Sequence, residues 1–231
     1  VRVAREYGDL ASFRFGPRRM FLASHPDLIE QVLVTDAKHY VKHFGARNYK
    51  PVLGNGLVTS EGDFWLRQRR LAQPAFLKSR VHSYAPVMGD LTRAMLARWR
   101  PGLRIHVNDE FSTLTSAIAL KTLFGLDDPG HREEFVESLR VAFDLLSERF
   151  RHLIHLPLWV PTRRNRRTKR AIADLYRVVD GFVAAGKARK ESGDDLLSRL
   201  VAARDDDGSG MTDRQLREEA MTLYLAGHET T

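Results

Sequence analysis

The chain contains no cysteine. Disulfides, thiolate nucleophiles and cysteine metal ligands are therefore excluded among these residues. No run of 18 or more apolar residues occurs, so no transmembrane helix is expected. Internal repeats and low-complexity linkers are missing. So are a glycine-rich phosphate loop of the P-loop or Rossmann type and a G-x-S-x-G elbow. The first residue is Val1 rather than Met, no signal peptide is visible, and the last helical pattern runs to the end without a capping signal. A piece of a longer protein is expected. What is present suffices for a sizeable core: 231 residues, 43% hydrophobic and 29% charged. Residues 1–231 are expected to form a single domain. The formal charge of +8 favours anionic partners and says nothing of the fold.

Periodicity predicts a mainly α fold with a small N-terminal β-sheet. Leu10-Ala-Ser-Phe-Arg-Phe15 alternates, Gly16-Pro17 turns, and Arg19-Met-Phe-Leu-Ala23 returns as the second arm of a hairpin. His25-Pro26-Asp27 opens a short helix, and residues 36–60, rich in breakers, are expected as loop and short irregular pieces. Helices are expected over residues 63–73, 86–100, 108–124, 131–151, 165–190 and 194–204, with a short strand at 103–107. Thr212 and Gln215 have the spacing of a capping box at the start of the final helix. From Met221 to Gly227 that helix is apolar on nearly every side, which predicts burial.

Two stretches have the chemistry of a site. In Phe64-Trp-Leu-Arg-Gln-Arg-Arg70, Trp65 and Arg69 are four apart and share a helix face. Indole N–H and guanidinium are donors only, and together make a fork for a carboxylate or phosphate. A surface cation–π pair is the other reading. Arg67 and Arg70 are expected to be solvated. In the closing stretch, Thr222, Ala226, Glu229 and Thr230 fall on one helix face. Ala226 and Gly227 remove bulk there, so something flat or large fits against the backbone. Gly227 costs up to about 1 kcal/mol of helix stability relative to alanine. A Thr230 hydroxyl aimed into a cavity would hold water or a ligand oxygen, and Glu229 beside it would relay protons. A small-residue helix crossing with Glu229 at a solvated edge is the alternative.

Two further features allow other functions. His228-Glu229 begins a His-Glu-x-x-His zinc motif, whose second histidine would fall at position 232. The run Arg163-Arg-Asn-Arg-Arg-Thr-Lys-Arg170 holds six cations in eight residues. It lacks interleaved aromatics for base stacking. A solvated loop-to-helix junction is one reading, and a membrane-surface contact is another, because the preceding Leu153-Ile-His-Leu-Pro-Leu-Trp-Val160 is apolar.

Taken together, two motifs resemble those of the cytochrome P450 family of haem-thiolate monooxygenases. Trp65-Leu-Arg-Gln-Arg69, running on through Arg70-Leu-Ala-Gln-Pro-Ala-Phe76, is similar to the family's W-x-x-x-R helix. Ala226-Gly-His-Glu-Thr-Thr231 is similar to its A-G-x-[D/E]-T-[T/S] oxygen-activation motif. They lie about 160 residues apart, in the family's order. Leu53-Gly-Asn-Gly-Leu-Val-Thr59 and Asp194-Asp-Leu-Leu-Ser198 are also similar, so the resemblance spans nearly the whole chain.

The resemblance implies a truncated cytochrome P450 fold. It implies that Trp65 and Arg69 donate to a propionate of haem b (iron protoporphyrin IX), with Ala226 and Gly227 over the haem face. Thr230 and Glu229 would be catalytic, steering oxygen and delivering protons. The loop of residues 40–60 and residues 153–160 would border the substrate cavity. An outer face with Arg67 and Arg70 would dock an electron-transfer partner supplied by NAD(P)H. The implied partners are an apolar small-molecule substrate, O2 and that redox protein, with no nucleic acid, and the implied location is cytoplasmic. The family's E-x-x-R helix and iron-binding Cys are not in this chain, so the axial ligand is expected beyond Thr231 and the piece alone is expected to be inactive. The alternatives are a zinc hydrolase using His228 and Glu229, and a basic helical module that binds nucleic acid or membrane.

Overall fold

The structure is a computed structural model describing residues 2–126, 129–150, 156–189 and 193–229. The chain divides into two compact units, residues 1–43 and 44–231. In the first, helix α1 (Arg2–Tyr7) precedes the antiparallel hairpin of β1 (Leu10–Phe15) and β2 (Arg18–Ala23). Leu10 pairs with Ala23 and Phe15 with Arg18, and Gly16 makes the tight turn at a φ of 60°. Helix α2 (Pro26–Glu30) starts where proline's missing N–H costs nothing, and the ring of His25 accepts the Asp27 N–H. A π-helical turn, Gln31–Thr35, follows. The expected hairpin and short helix are both present.

The second unit is helical. In order it contains α3 (Phe44–Asn48), α4 (Lys50–Leu53), α5 (Gly62–Ala72), α6 (Lys78–Ser83) and α7 (Ala85–Leu96). Then come α8 (Val107–Phe124), α9 (Pro129–Phe150), α10 (Arg163–Ala188), α11 (Leu196–Ala202) and α12 (Asp213–Glu229). Helix α12 packs against α8, α10 and α11, and α10 against α9. The core between them is aromatic and aliphatic. Phe124, Phe135, Phe182 and Tyr224 form one ring cluster, with Tyr224 meeting Phe135 edge-on at 4.7 Å. Leu120, Leu175, Val179, Leu197, Leu200 and Leu216 are buried around it.

Local signals explain the boundaries. Gly125 closes α8 in the left-handed conformation while Leu126 N–H returns to the Leu120 carbonyl. The capping box at α12 is formed in both directions. Thr212 N–H donates to Gln215 Oε1 at 2.8 Å, and Gln215 N–H donates to Thr212 Oγ1 at 3.3 Å. Thr162 caps α10 through Asn165 N–H, so that helix starts before Asn165. The buried Asn165 side chain donates to the Pro157 and Val160 carbonyls, drawing the preceding turn onto the helix.

Three expectations need correction. Residues 103–106 form no strand, because no strand lies beside them among the described residues and Val107 already begins α8. Within the expected loop of residues 36–60, α3 and α4 are helical, with Pro51 in the first turn of α4, where proline is tolerated. The helix expected over 86–100 stops at Leu96, and α6 precedes it. Among the described residues, no helix is long and apolar enough to cross a membrane.

Candidate functional site

Helix α5 buries Gln68, Leu71 and Ala72 and turns its arginines outward. Trp65 is half-buried and Arg69 exposed, and the Arg69 guanidinium carbon lies 5.3 Å from the centre of the Trp65 ring. The i, i+4 spacing therefore forms the cation–π pair that it permits. The flanking arginines behave differently. Arg67 Nε is 3.0 Å and Arg70 Nη2 is 2.5 Å from the carboxylate of Asp205, whose side chain is only 6% exposed. Arg67 also donates to Ser209 Oγ at 2.7 Å. Arg67 and Arg70, expected to be solvated, are held by the turn that precedes α12. The Asp206 N–H on its carboxylate, reinforced by Arg70, holds the Asp205 carboxyl below the usual range. Of the three arginines, Arg69 alone meets no carboxylate among the described residues. It keeps its full charge and donor set for something else.

Helix α12 presents two opposite faces. On one, Tyr224 Oη lies 2.9 Å from Ser116 Oγ, and His228 Nδ1 lies 3.1 Å from Thr115 Oγ1, both on α8. The His228 ring also packs against that of Tyr224. On the other face, residues 54–57 lie against the helix backbone. Glu218 accepts the Asn55 N–H at 3.1 Å and Arg214 Nε at 2.8 Å, and Glu219 accepts the Leu57 N–H at 3.0 Å. Both glutamates are buried. Glycine is required in this loop. A Cβ at Gly54, itself at positive φ, would lie 2.2 Å from the Glu218 carboxyl carbon, and one at Gly56 would lie 2.1 Å from Thr222 Oγ1.

That loop covers the face only as far as Thr222. One turn on, Ala226 and Gly227 are exposed, and a Cβ at Gly227 would meet nothing within 4 Å. Burial on nearly every side from Met221 to Gly227 therefore does not hold. Met221, Thr222 and Tyr224 are buried, while the small residues face outward. Glu229 closes α12, and Thr230 lies outside the described residues. Residues 153–155 of the apolar stretch before Arg163 also lie outside them. Among the described residues, no group of three or more His, Cys, Asp or Glu is arranged to hold a metal ion.

The structure thus brings Trp65 and Arg69 together, sets Ala226 beside Gly227 on an open face, and ties the loop ahead of α5 to α12. Glu218 and Glu219 make that tie and were not singled out from sequence. The available signal was two carboxylates flanked by Leu216, Ala220 and Met221 in an amphipathic helix, downstream of Gly54-Asn-Gly56. Arg69 is exposed beside the half-buried Trp65 on α5, and Ala226 and Gly227 leave an exposed step without side-chain bulk on α12.

The model of the cytochrome P450 family matches residues 1–231, and the chain belongs to that family. It is 37% identical to cyclooctatin synthase of Streptomyces melanosporofaciens, over 97% of this chain and 50% of that protein. It is 32% identical to pentalenene oxygenase of Streptomyces avermitilis, over 97% of this chain and 50% of that protein. The solved haem domain of cytochrome P450DA superposes with a TM-score of 0.83 at 23% identity, covering 99% of this chain and 52% of that one. That likeness shows the fold. The chain spans about half the length of the curated relatives it matches. These comparisons support neither the zinc hydrolase nor the basic binding module as its function.

Two outcomes are expected from this geometry in the full-length protein. Gly56→Ala should lower stability by about 1–3 kcal/mol in urea denaturation, because its Cβ also meets the Glu218 backbone oxygen at 2.6 Å. A variant as stable as wild type would remove the close approach. Asp205 has a lowered folded pKa, so its contribution is complete above the ordinary carboxylate value near pH 4 and is lost as pH falls from there through the folded value. Asp205→Asn should abolish that part of the acid slope of the urea midpoint. An unchanged slope would show that Arg67 and Arg70 do not depend on the Asp205 charge.

Proposed function

We propose that the full-length protein is a haem-thiolate monooxygenase. It inserts one oxygen atom from O2 into an apolar organic substrate, using electrons from NAD(P)H delivered by a redox partner. The carrying observation is Arg69, which stacks on Trp65 and meets no carboxylate among the described residues, while Arg67 and Arg70 share an ion pair with Asp205. Two relatives bear the names of oxygenases, cyclooctat-9-en-7-ol 5-monooxygenase at 33% identity and pentalenene oxygenase at 32%. Haem b, when bound, supplies the binding and activation of dioxygen. The residues of this chain bind and orient the cofactor and handle protons. Trp65 Nε1–H and the Arg69 guanidinium donate to a propionate and orient the cofactor. Ala226 and Gly227 let the flat face approach α12. Thr230 holds water through its hydroxyl, and the Glu229 carboxyl passes protons toward it.

The same proposal takes both compact units as parts of one domain, because the family match runs unbroken from residue 1 to 231. It takes the axial thiolate from outside these residues, which contain no cysteine, and a cytoplasmic location. No nucleic acid takes part. In the full-length protein, Arg69→Gln should speed haem transfer to apomyoglobin about tenfold, the loss of one charge-assisted hydrogen bond. Arg69→Lys, which keeps the charge, should recover part of the retention. Equal retention by Arg69→Gln and wild type, at unchanged far-ultraviolet circular dichroism, would contradict the role given to Arg69.

A further inference from the structure

A cleft of about 340 Å3 opens between the end of α5, α6 and α11, apart from the Trp65–Arg69 pair and the open face of α12. Arginines from different elements line it: Arg70 from α5, Arg80 from α6, Arg199 from α11 and Arg204 from the segment after α11. Four guanidiniums around one small volume repel each other unless each is neutralised. Two of them are. Arg70 pairs with Asp205, and Arg199 Nη2 lies 2.9 Å from Asp194 Oδ1. The other two are not. Among the described residues, Arg204 Nη1 donates only to the Val201 and Ala203 carbonyls, each at 2.8 Å, which satisfies hydrogen bonds and leaves the charge. The Arg80 side chain meets neither carboxylate nor acceptor among the described residues. The remainder of the lining is apolar and includes Leu71 and Leu77, the latter 55% exposed.

We infer that this cleft binds an oxyanion carried on an apolar body, a phosphate monoester in particular. Planar guanidinium forks match phosphate oxygens in pairs. Arg80 and Arg204 supply the two uncompensated charges, and Leu71 and Leu77 take the hydrocarbon. The site is independent of the haem reading and uses none of its residues.

Octyl phosphate is the probe, titrated into the full-length protein at low ionic strength by isothermal calorimetry, with octanol and inorganic phosphate as controls. Saturable binding of one octyl phosphate per chain is expected. It should weaken about tenfold or more in Arg80→Gln and again in the Arg80→Gln/Arg204→Gln double variant. Octanol should not compete, and inorganic phosphate should bind more weakly. Both arginines are exposed, so circular dichroism should be unchanged in the variants. A second readout needs no variant: octyl phosphate should protect Arg80 and Arg204 of wild type from phenylglyoxal, followed by peptide mass. The inference fails if binding does not saturate, if the double variant binds as wild type, if octanol binds equally, or if neither arginine is protected.

Discussion

The hydrogen bonds from two loop amides to two buried carboxylates hold this half of the fold in working order. Glu218 and Glu219 on α12 accept Asn55 N–H and Leu57 N–H, and the loop that donates them leads directly into α5. Buried carboxylates without such partners would be costly. With them, each becomes a fixed anchor, because a carboxylate accepting a backbone N–H is stronger than a neutral pair. Glycine at 54 and 56 lets the backbone come close enough to donate. The consequence is that α5 and α12, far apart in sequence, are held through one short loop.

The second constraint is electrostatic. Helix α5 carries Arg67, Arg69 and Arg70 in four residues, a repulsive arrangement in isolation. Asp205 resolves it asymmetrically by taking Arg67 and Arg70. Arg69 is left on Trp65, at the surface, with a charge that nothing described in this chain offsets. On α12 the asymmetry is one of covering. Tyr224 and His228 are bonded to α8 on one side, while Ala226 and Gly227 are open on the other. Uncompensated charge at one element and exposed small residues at another are the two features on which the proposed cofactor site rests.

Much of this was legible from residues. The hairpin followed from strict alternation and a Gly-Pro turn, and the α12 start from a capping box, because both signals act within a few residues. The Trp65–Arg69 contact followed from helical spacing. What was not legible depended on distant partners. Arg67 and Arg70 looked solvated because Asp205 is 135 residues or more away in the chain. Glu218 and Glu219 looked like ordinary polar positions because their acceptor role appears only once residues 54–57 are laid on the helix. The expected strand at 103–107 failed for the same reason in reverse, since alternation without a neighbouring strand leaves backbone groups unpaired. At Ala226 and Gly227 an apolar pattern suggested burial, yet both are exposed.

The central claim is that these two asymmetries serve one thiolate-ligated haem. The most direct measurement is the absorption spectrum of the full-length protein, reduced and bound to carbon monoxide. The account predicts the red-shifted Soret band of a thiolate-ligated haem. A haem protein whose Soret band stays at the position given by a nitrogen ligand, or a full-length protein that binds no haem at all, would contradict it.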